Sequence, residues 1–285
     1  MANTIKVVLL MGLMTGLAIA VGFLIGGQAG MLVAVGLAAA MNFAGYWFSD
    51  KLVLALYRAH EVGPGDAPEL HSMVAELARR AAIPIPRIYV IPEAALNAFA
   101  TGRNPRHAAV AVTEGIMQAL SHDELMAVLA HELGHVRNRD ILVGTIAATM
   151  AGAISMLANM ALWAGMLGGR SDDDESPLGV VGAVMAMLFA PIAATLIQLA
   201  ISRSREYGAD ATSARLLGTG RPLARALRKL QQGALLLAQR GYASRVEPAT
   251  AHLFIVNPLS GRSIASLFST HPPIEERIAR LEAMG

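Results

Sequence analysis

Four long uncharged runs dominate this chain: Val7–Gly27, Ala29–Phe48, Ile141–Gly169 and Pro177–Ser202. A helix needs roughly 20 apolar residues to cross the hydrocarbon core of a bilayer. Each run meets that length, so the sequence predicts four membrane-spanning helices arranged as two hairpins. Four helices buried in a soluble core are the alternative, but 285 residues leave too little other chain to wrap them. The second pair could also be a partly buried hairpin, since it adjoins a chemical motif. Composition agrees with the membrane reading: 54% of residues are hydrophobic and 15% charged, against about 25% charged in soluble domains. The first run passes almost directly into the second, as an uncleaved anchor does and a signal peptide does not.

The charges between the runs set an orientation. Lys6 precedes the first run, Lys51 and Arg58 follow the second, Arg137 and Arg139 precede the third, and Arg203 and Arg205 follow the fourth. The connection between the third and fourth carries Arg170 against Asp172, Asp173, Asp174 and Glu175. Basic residues are retained on the cytoplasmic side, so both termini and both polar blocks are expected there, in a multi-pass protein of the cytoplasmic membrane. The chain then divides into a hairpin (1–49), a first polar block (50–140), a second hairpin (141–202) and a second polar block (203–285). Its partners are expected to include the lipid bilayer. Net charge is only +2, which gives no support to nucleic-acid binding, and cysteine is absent, so any metal must be held by His, Asp or Glu.

The polar blocks read as mainly helical with a small β-sheet. Asp66 and Glu69 have capping-box spacing and open a helix to about Ala82. RIYVI (87–91) and AAVAV (108–112) have strand composition, and Asn97–Gly102 reads as a short edge strand ending in a glycine turn. Ser121 and Glu124 form a second capping box, starting a helix through His135 that can continue to Asp140. Further helices are expected over Arg203–Leu217, from Pro222 to about Gln239, and from Pro272–Pro273 to near the C-terminus.

HELGH, His131 to His135, is the most informative pentapeptide. Residues four apart on a helix share a face, so both imidazoles can bind one metal ion. Glu132 projects about 100° away, where it can act as a base without being a ligand. Two histidines, one carboxylate and an open fourth position suit one catalytic zinc ion. The third ligand must come from elsewhere, because no further His follows at the spacing some related motifs use. Glu206 in SRSREYGAD is the best candidate; it can equally be a surface partner of Arg203 or Arg205. Asp210, on the same face as Glu206, can accept a hydrogen bond from a ligating His. Asp140 falls on the far side of the helix from His131 and reads as a cap or an ion-pair partner.

HELGHVRNRD, two apolar segments, SRSREYGAD, the preceding NAFATG and the following STHPPIEERIARL together resemble the HtpX group of membrane zinc metallopeptidases, relatives of the CAAX prenyl endopeptidases. The resemblance covers essentially the whole chain. It implies a zincin-like protease domain interrupted by transmembrane hairpins, with His131, His135 and Glu206 as ligands and Glu132 as catalytic base. It also implies cleavage of misfolded membrane proteins or unfolded polypeptides in quality control under stress. His271 is a candidate donor to the developing oxyanion, though a helix-start role before Pro272 competes. Arg203 is an alternative donor or a structural ion pair. Asn97, Ala98, Phe99, Ala100 and Thr101 are candidates for pairing with an extended substrate, against an ordinary interior strand.

Two rivals are distinguishable. An intramembrane protease would bury HELGH in a span, but the polar residues Ser121–Glu124 and Arg137–Asp140 leave too short a run between them. A non-catalytic scaffold or holdase would use zinc structurally, and such sites are usually closed by four protein ligands, often Cys.

Overall fold

A computed structural model describes residues 2–146, 203–239, 255 and 272–285. The expected spans at Ile141–Gly169 and Pro177–Ser202 lie outside the described residues except for 141–146, which are helical. The acidic connection and His271 lie outside them too.

Helix α1 runs from Ala2 to Leu56 but is folded back on itself. Gly27 takes φ +57°, a left-handed conformation that breaks the rise of the helix and is open to glycine without a steric penalty. Asn42 Nδ2 donates to Thr15 Oγ1 at 2.8 Å, and Thr15 in turn donates to the Met11 carbonyl at 2.9 Å. Asn42, the main polar interruption of the second run, is therefore a bond between the two arms. Of the described residues, one segment, Gly27–Leu56, clears both the length and the hydropathy of a membrane span. Its outward Leu32, Val33, Leu37 and Phe43 are exposed.

The first polar block is a four-stranded mixed sheet in the order β1-β2-β4-β3. Strands β1 (His60–Glu61), β2 (Arg87–Ile91), β3 (Ala98–Gly102) and β4 (Ala108–Thr113) pair so that Arg87 lies opposite Ala109 in the parallel β2–β4 ladder. Ala98 lies opposite Val112 in the antiparallel β3–β4 ladder. Both faces of β4 are covered. Ala108, Val110 and Val112 join the main core, while Ala109 and Ala111 pack with Val53, Leu54, Tyr89 and Phe99 below the end of α1. A strand buried on both faces reads as an unbroken apolar run, which is why AAVAV shows no alternation.

The helices sit on the main-core face. α2 (Pro68–Ala81) starts without a side-chain cap, so the expected Asp66/Glu69 box is absent. Asp66 Oδ2 instead accepts from Gly63 N at 2.8 Å, closing a turn, and Glu69 Oε1 lies 2.9 Å from His122 Nδ1. α3 (Glu114–Ala119) is capped by Thr113. α4 (His122–Arg137) carries the full Ser121/Glu124 capping box. α5 (Arg203–Leu217), α6 (Arg221–Gln239) and α7 (Ile274–Glu282) follow. α4 lies at the centre, packed by α2, α5, α6 and β3. Its burial comes from these elements of the polar blocks, so HELGH is not part of a lipid-facing span.

Candidate metal centre

The site forms where α4 crosses α5. Gly134 makes the close approach possible, since a Cβ there would lie 3.2 Å from Ala209 Cα and 3.3 Å from Thr212 Cβ. Ser213 Oγ donates to the Ala127 carbonyl at 2.8 Å and fixes the register. His131 and His135 flank Gly134 on α4, and Glu206 and Asp210 flank Ala209 on α5. The four side chains therefore meet around one contact.

His131 Nε2 lies 3.7 Å from Glu206 Oε2, and His135 Nε2 lies 3.6 Å from Glu206 Oε1. The two imidazoles stand edge to face, with centroids 4.8 Å apart. Ligand atoms of all three residues lie within 4.8 Å of one another. With ligand bonds of about 2.0–2.2 Å, the edges of a tetrahedral zinc site are roughly 3.3–3.6 Å. The donor set of two nitrogens and one carboxylate and the observed separations therefore fit a zinc ion with one position left open.

Each ligand candidate is held from behind. Asp210 Oδ1 lies 2.9 Å from His131 Nδ1, although off the line of an ideal N–H bond. Asp140 Oδ2 lies 3.4 Å from His135 Nδ1. Arg277, on α7 and fully buried, donates from Nε to Asp210 Oδ2 at 2.9 Å and from Nη2 to Oδ1 at 2.7 Å. Its Nη1 is 3.5 Å from Glu206 Oε2. Carboxylates behind ligating imidazoles fix ring orientation and tautomer.

The electrostatics follow from burial and these contacts. Burial alone would raise the Asp210 pKa, but the Arg277 guanidinium and the contact with His131 outweigh it and hold the carboxyl below its ordinary value. Burial would lower the His135 pKa, yet the bond to Asp140 and the charges of Glu206 and Glu132 reverse this and push it up to about 9 without metal. Glu132 is raised, chiefly by burial and further by Glu206, against the opposing pull of His131 and His135. Its Oε2 accepts from the Ala100 amide at 2.9 Å, so the carboxylate is tethered to β3.

That bond also defines the free edge of the sheet. Ala100 N–H goes to Glu132, and Gly102 N lies 3.4 Å from Thr145 Oγ1, so these amides point away from β4. Residues alternate in an antiparallel ladder, so Phe99 and Thr101 face β4. The side chains of the expected substrate strand are all buried. Asn97 Oδ1 accepts from Ile255 N at 3.3 Å, the Phe99 ring lies tilted against Tyr57 with centroids 5.5 Å apart, and Thr101 Oγ1 is 3.0 Å from Thr145 Oγ1. The backbone of Ala98, Ala100 and Gly102 forms the outward edge, with the Ala100 and Gly102 amides engaged by Glu132 and Thr145.

The structure thus brings together His131, Glu132, His135, Glu206 and Asp210. Arg203 is exposed at the start of α5; the buried cation on the acidic pair is Arg277, and Arg205 adds positive charge near Asp140 and Glu206. Arg277 is not among the sequence candidates; the signal for it is that Ile274, Ile278 and Leu281 mark one face of α7 at helical spacing and Arg277 falls on it. Asp140, expected as a cap or an ion-pair partner, pairs with His135; α4 ends at Arg137 and Arg139 takes φ +59°, which turns Asp140 back toward that ring.

Against known proteins, residues 64–285 match the model of peptidase family M48. The chain belongs to this family, and it is a metalloprotease. Over 99% of its length it is 57% identical to a protease HtpX homolog of Desulfatibacillum aliphaticivorans, covering 89% of that protein. It is 58% identical to another from Persephonella marina, covering 97% of it. Within the family it therefore groups with the HtpX-type proteases. The crystal structure of S. mikatae Ste24p superposes with a TM-score of 0.51 at 20% identity, over 99% of this chain and 66% of that one. This shows a shared fold, mainly helical with a small mixed sheet. The relatives and the Gly27–Leu56 helix together point to a membrane protease.

Proposed function

We propose that the chain is a zinc-dependent endopeptidase of the cytoplasmic membrane that cleaves misfolded or damaged membrane proteins at the cytoplasmic face. The observation that carries this reading is the convergence of His131, His135 and Glu206, with Glu132 beside the ligand set but outside it. A zinc ion held there supplies the Lewis acid for water activation and carbonyl polarisation. The protein supplies the rest. Glu132, whose carboxyl burial raises above its ordinary value, takes a proton from water and returns it to the leaving amine. Asp210 and Asp140 orient the two imidazoles, and Arg277 holds Asp210 and Glu206 in place. An extended substrate pairs with the outward edge of β3, displacing the bonds that Glu132 and Thr145 make to the Ala100 and Gly102 amides, which sets its backbone beside Glu132. The two polar blocks, 50–140 and 203–285, form one catalytic domain around this site, with the hairpins 1–49 and 141–202 as membrane segments.

The test is metal content and hydrolysis of an unstructured test protein by the full chain and by Glu132→Gln. The variant should keep its zinc and lose roughly a hundred- to ten-thousand-fold in rate, the range for a general acid–base group. Loss of zinc together with activity would make Glu132 a ligand and undo the assignment. For orientation, a thiol label at a Ser171→Cys position should react from the non-cytoplasmic side only.

A further inference from the structure

A second site lies where α1 leaves its apolar stretch. A cleft of about 670 Å³ opens between the end of α1, β2 and the β3–β4 connection. Its floor is aromatic, with Trp47 and Phe48 of α1 both about half exposed. Its walls carry Lys51, Arg87, Arg103 and Arg106 against a single carboxylate, Asp50. The Arg103 guanidinium sits 4.6 Å from the Trp47 ring centre, and Lys51 Nζ sits 5.8 Å from that of Phe48. Arg87 Nη2 pairs with Asp50 at 3.0 Å, so among the described residues lining the cleft no carboxylate is left for Lys51, Arg103 and Arg106.

We propose that this cleft binds the headgroup of an anionic phospholipid. Two features select a lipid over a free anion. Aromatic side chains beside cations are the composition of a protein's band at the headgroup level. The cleft continues directly onto the Gly27–Leu56 helix, whose exposed Phe43 also lines it, so acyl chains have an apolar surface to follow. The cations converge from α1 and from the β3–β4 connection, two elements distant in sequence, so the phosphate bridges them. Arg103 directly follows β3, the strand tethered to Glu132, so an occupied cleft pins the far end of the proposed substrate strand to the bilayer. The proposal rests on the reading that Gly27–Leu56 spans a membrane.

The experiment uses the full chain with Trp163→Phe, so that Trp47 is the sole indole fluorophore. In detergent, dihexanoyl phosphatidylglycerol, dihexanoyl phosphatidylcholine and inorganic phosphate are titrated separately while Trp47 emission is followed. Saturable binding of the glycerol lipid, absent with the choline lipid and at least tenfold weaker with phosphate, is expected. Lys51→Gln and Arg106→Gln should each weaken it by about fivefold, the share of one cation at an anionic surface, and Arg106→Lys should retain it. Equal binding of both lipids, or unchanged binding in the Lys51→Gln/Arg106→Gln double variant, overturns the proposal. Phosphate binding as tight as the lipid would mean a free-anion site and overturns it as well. Resistance to carbonate extraction from phosphatidylcholine vesicles separately tests the membrane span, and its failure leaves the detergent titration to decide the headgroup site.

Discussion

Removing Arg277 should unsettle the metal centre from a distance. Its side chain is fully buried, makes two short bonds to Asp210 and sits 3.5 Å from Glu206. Arg277→Met keeps most of the volume but leaves two buried carboxylates without their main counter-charge. Breaking a buried pair by deleting one partner costs about 3–5 kcal/mol, and for a domain of this size each kcal/mol shifts Tm by roughly 2–4 °C. A fall on the order of 10 °C is therefore expected for the metal-free full chain in detergent. Arg277→Lys, which cannot span both Asp210 oxygens in one plane, should fall in between. Pairing Arg277→Met with Asp210→Asn should cost less than the sum of the two, because the second change removes the charge that the first leaves stranded. A Tm change under about 2 °C for Arg277→Met, or strict additivity in the double variant, would refute the view that this guanidinium holds the acidic pair.

Further outcomes follow from the same contacts. Asp140→Asn should weaken zinc binding by roughly ten- to a hundredfold, the usual cost of losing an outer carboxylate, as read by competition with a chelator of known affinity. Because His135 is raised from 6.5 to about 9 without metal, its contribution to stability is fully present below pH 6.5 and is lost as pH rises toward 9. Thermal scans of the metal-free protein should show this alkaline loss. Zinc takes the neutral imidazole, so the loaded protein should not show it, and zinc affinity should climb across the same window. Gly134→Ala should cost about 1–3 kcal/mol through overpacking against Ala209 and Thr212, seen as a lower Tm with zinc bound. Replacing Leu142–Ile201 by a flexible soluble linker should lower both zinc affinity and hydrolysis rate; equal values in both chains would show that this segment anchors the enzyme without building its site.

The parts of this molecule legible in the sequence are those fixed by local rules. The Ser121/Glu124 cap, the two-histidine face of α4, the helix stop after Leu217 and the strands at 87–91 and 108–112 each depend on near neighbours. What escaped depends on contacts made across the fold. Strand β1 is two residues long and exists only because β2 offers an edge, and nothing in His60–Glu61 announces it. Asp66 has the spacing of a cap but finds a better donor in Gly63. Asp140 required knowing that Arg139 adopts a positive φ. Arg277 required taking a charged residue on an apolar helical face as buried with partners, rather than as an interruption of the pattern. The edge character of β3 was legible, but the burial of all its side chains was not, because it comes from α4 and the end of α1.

The contact of Gly134 with Ala209 works as a pivot. At 1.5 Å of rise per residue, His131 and Glu206 each stand about 4.5 Å to one side of it along their helices, and His135 and Asp210 each stand one residue to the other. The two helices resemble the blades of scissors pinned at that point. Opening the angle between them moves groups on opposite sides of the pin in opposite senses, so no swing of α5 leaves all ligand distances unchanged. Metal occupancy and interhelical angle are thus one variable. A torque applied to α5 through the chain preceding Arg203 would be read at the metal site and, through Asp210 and Arg277, at α7 as well.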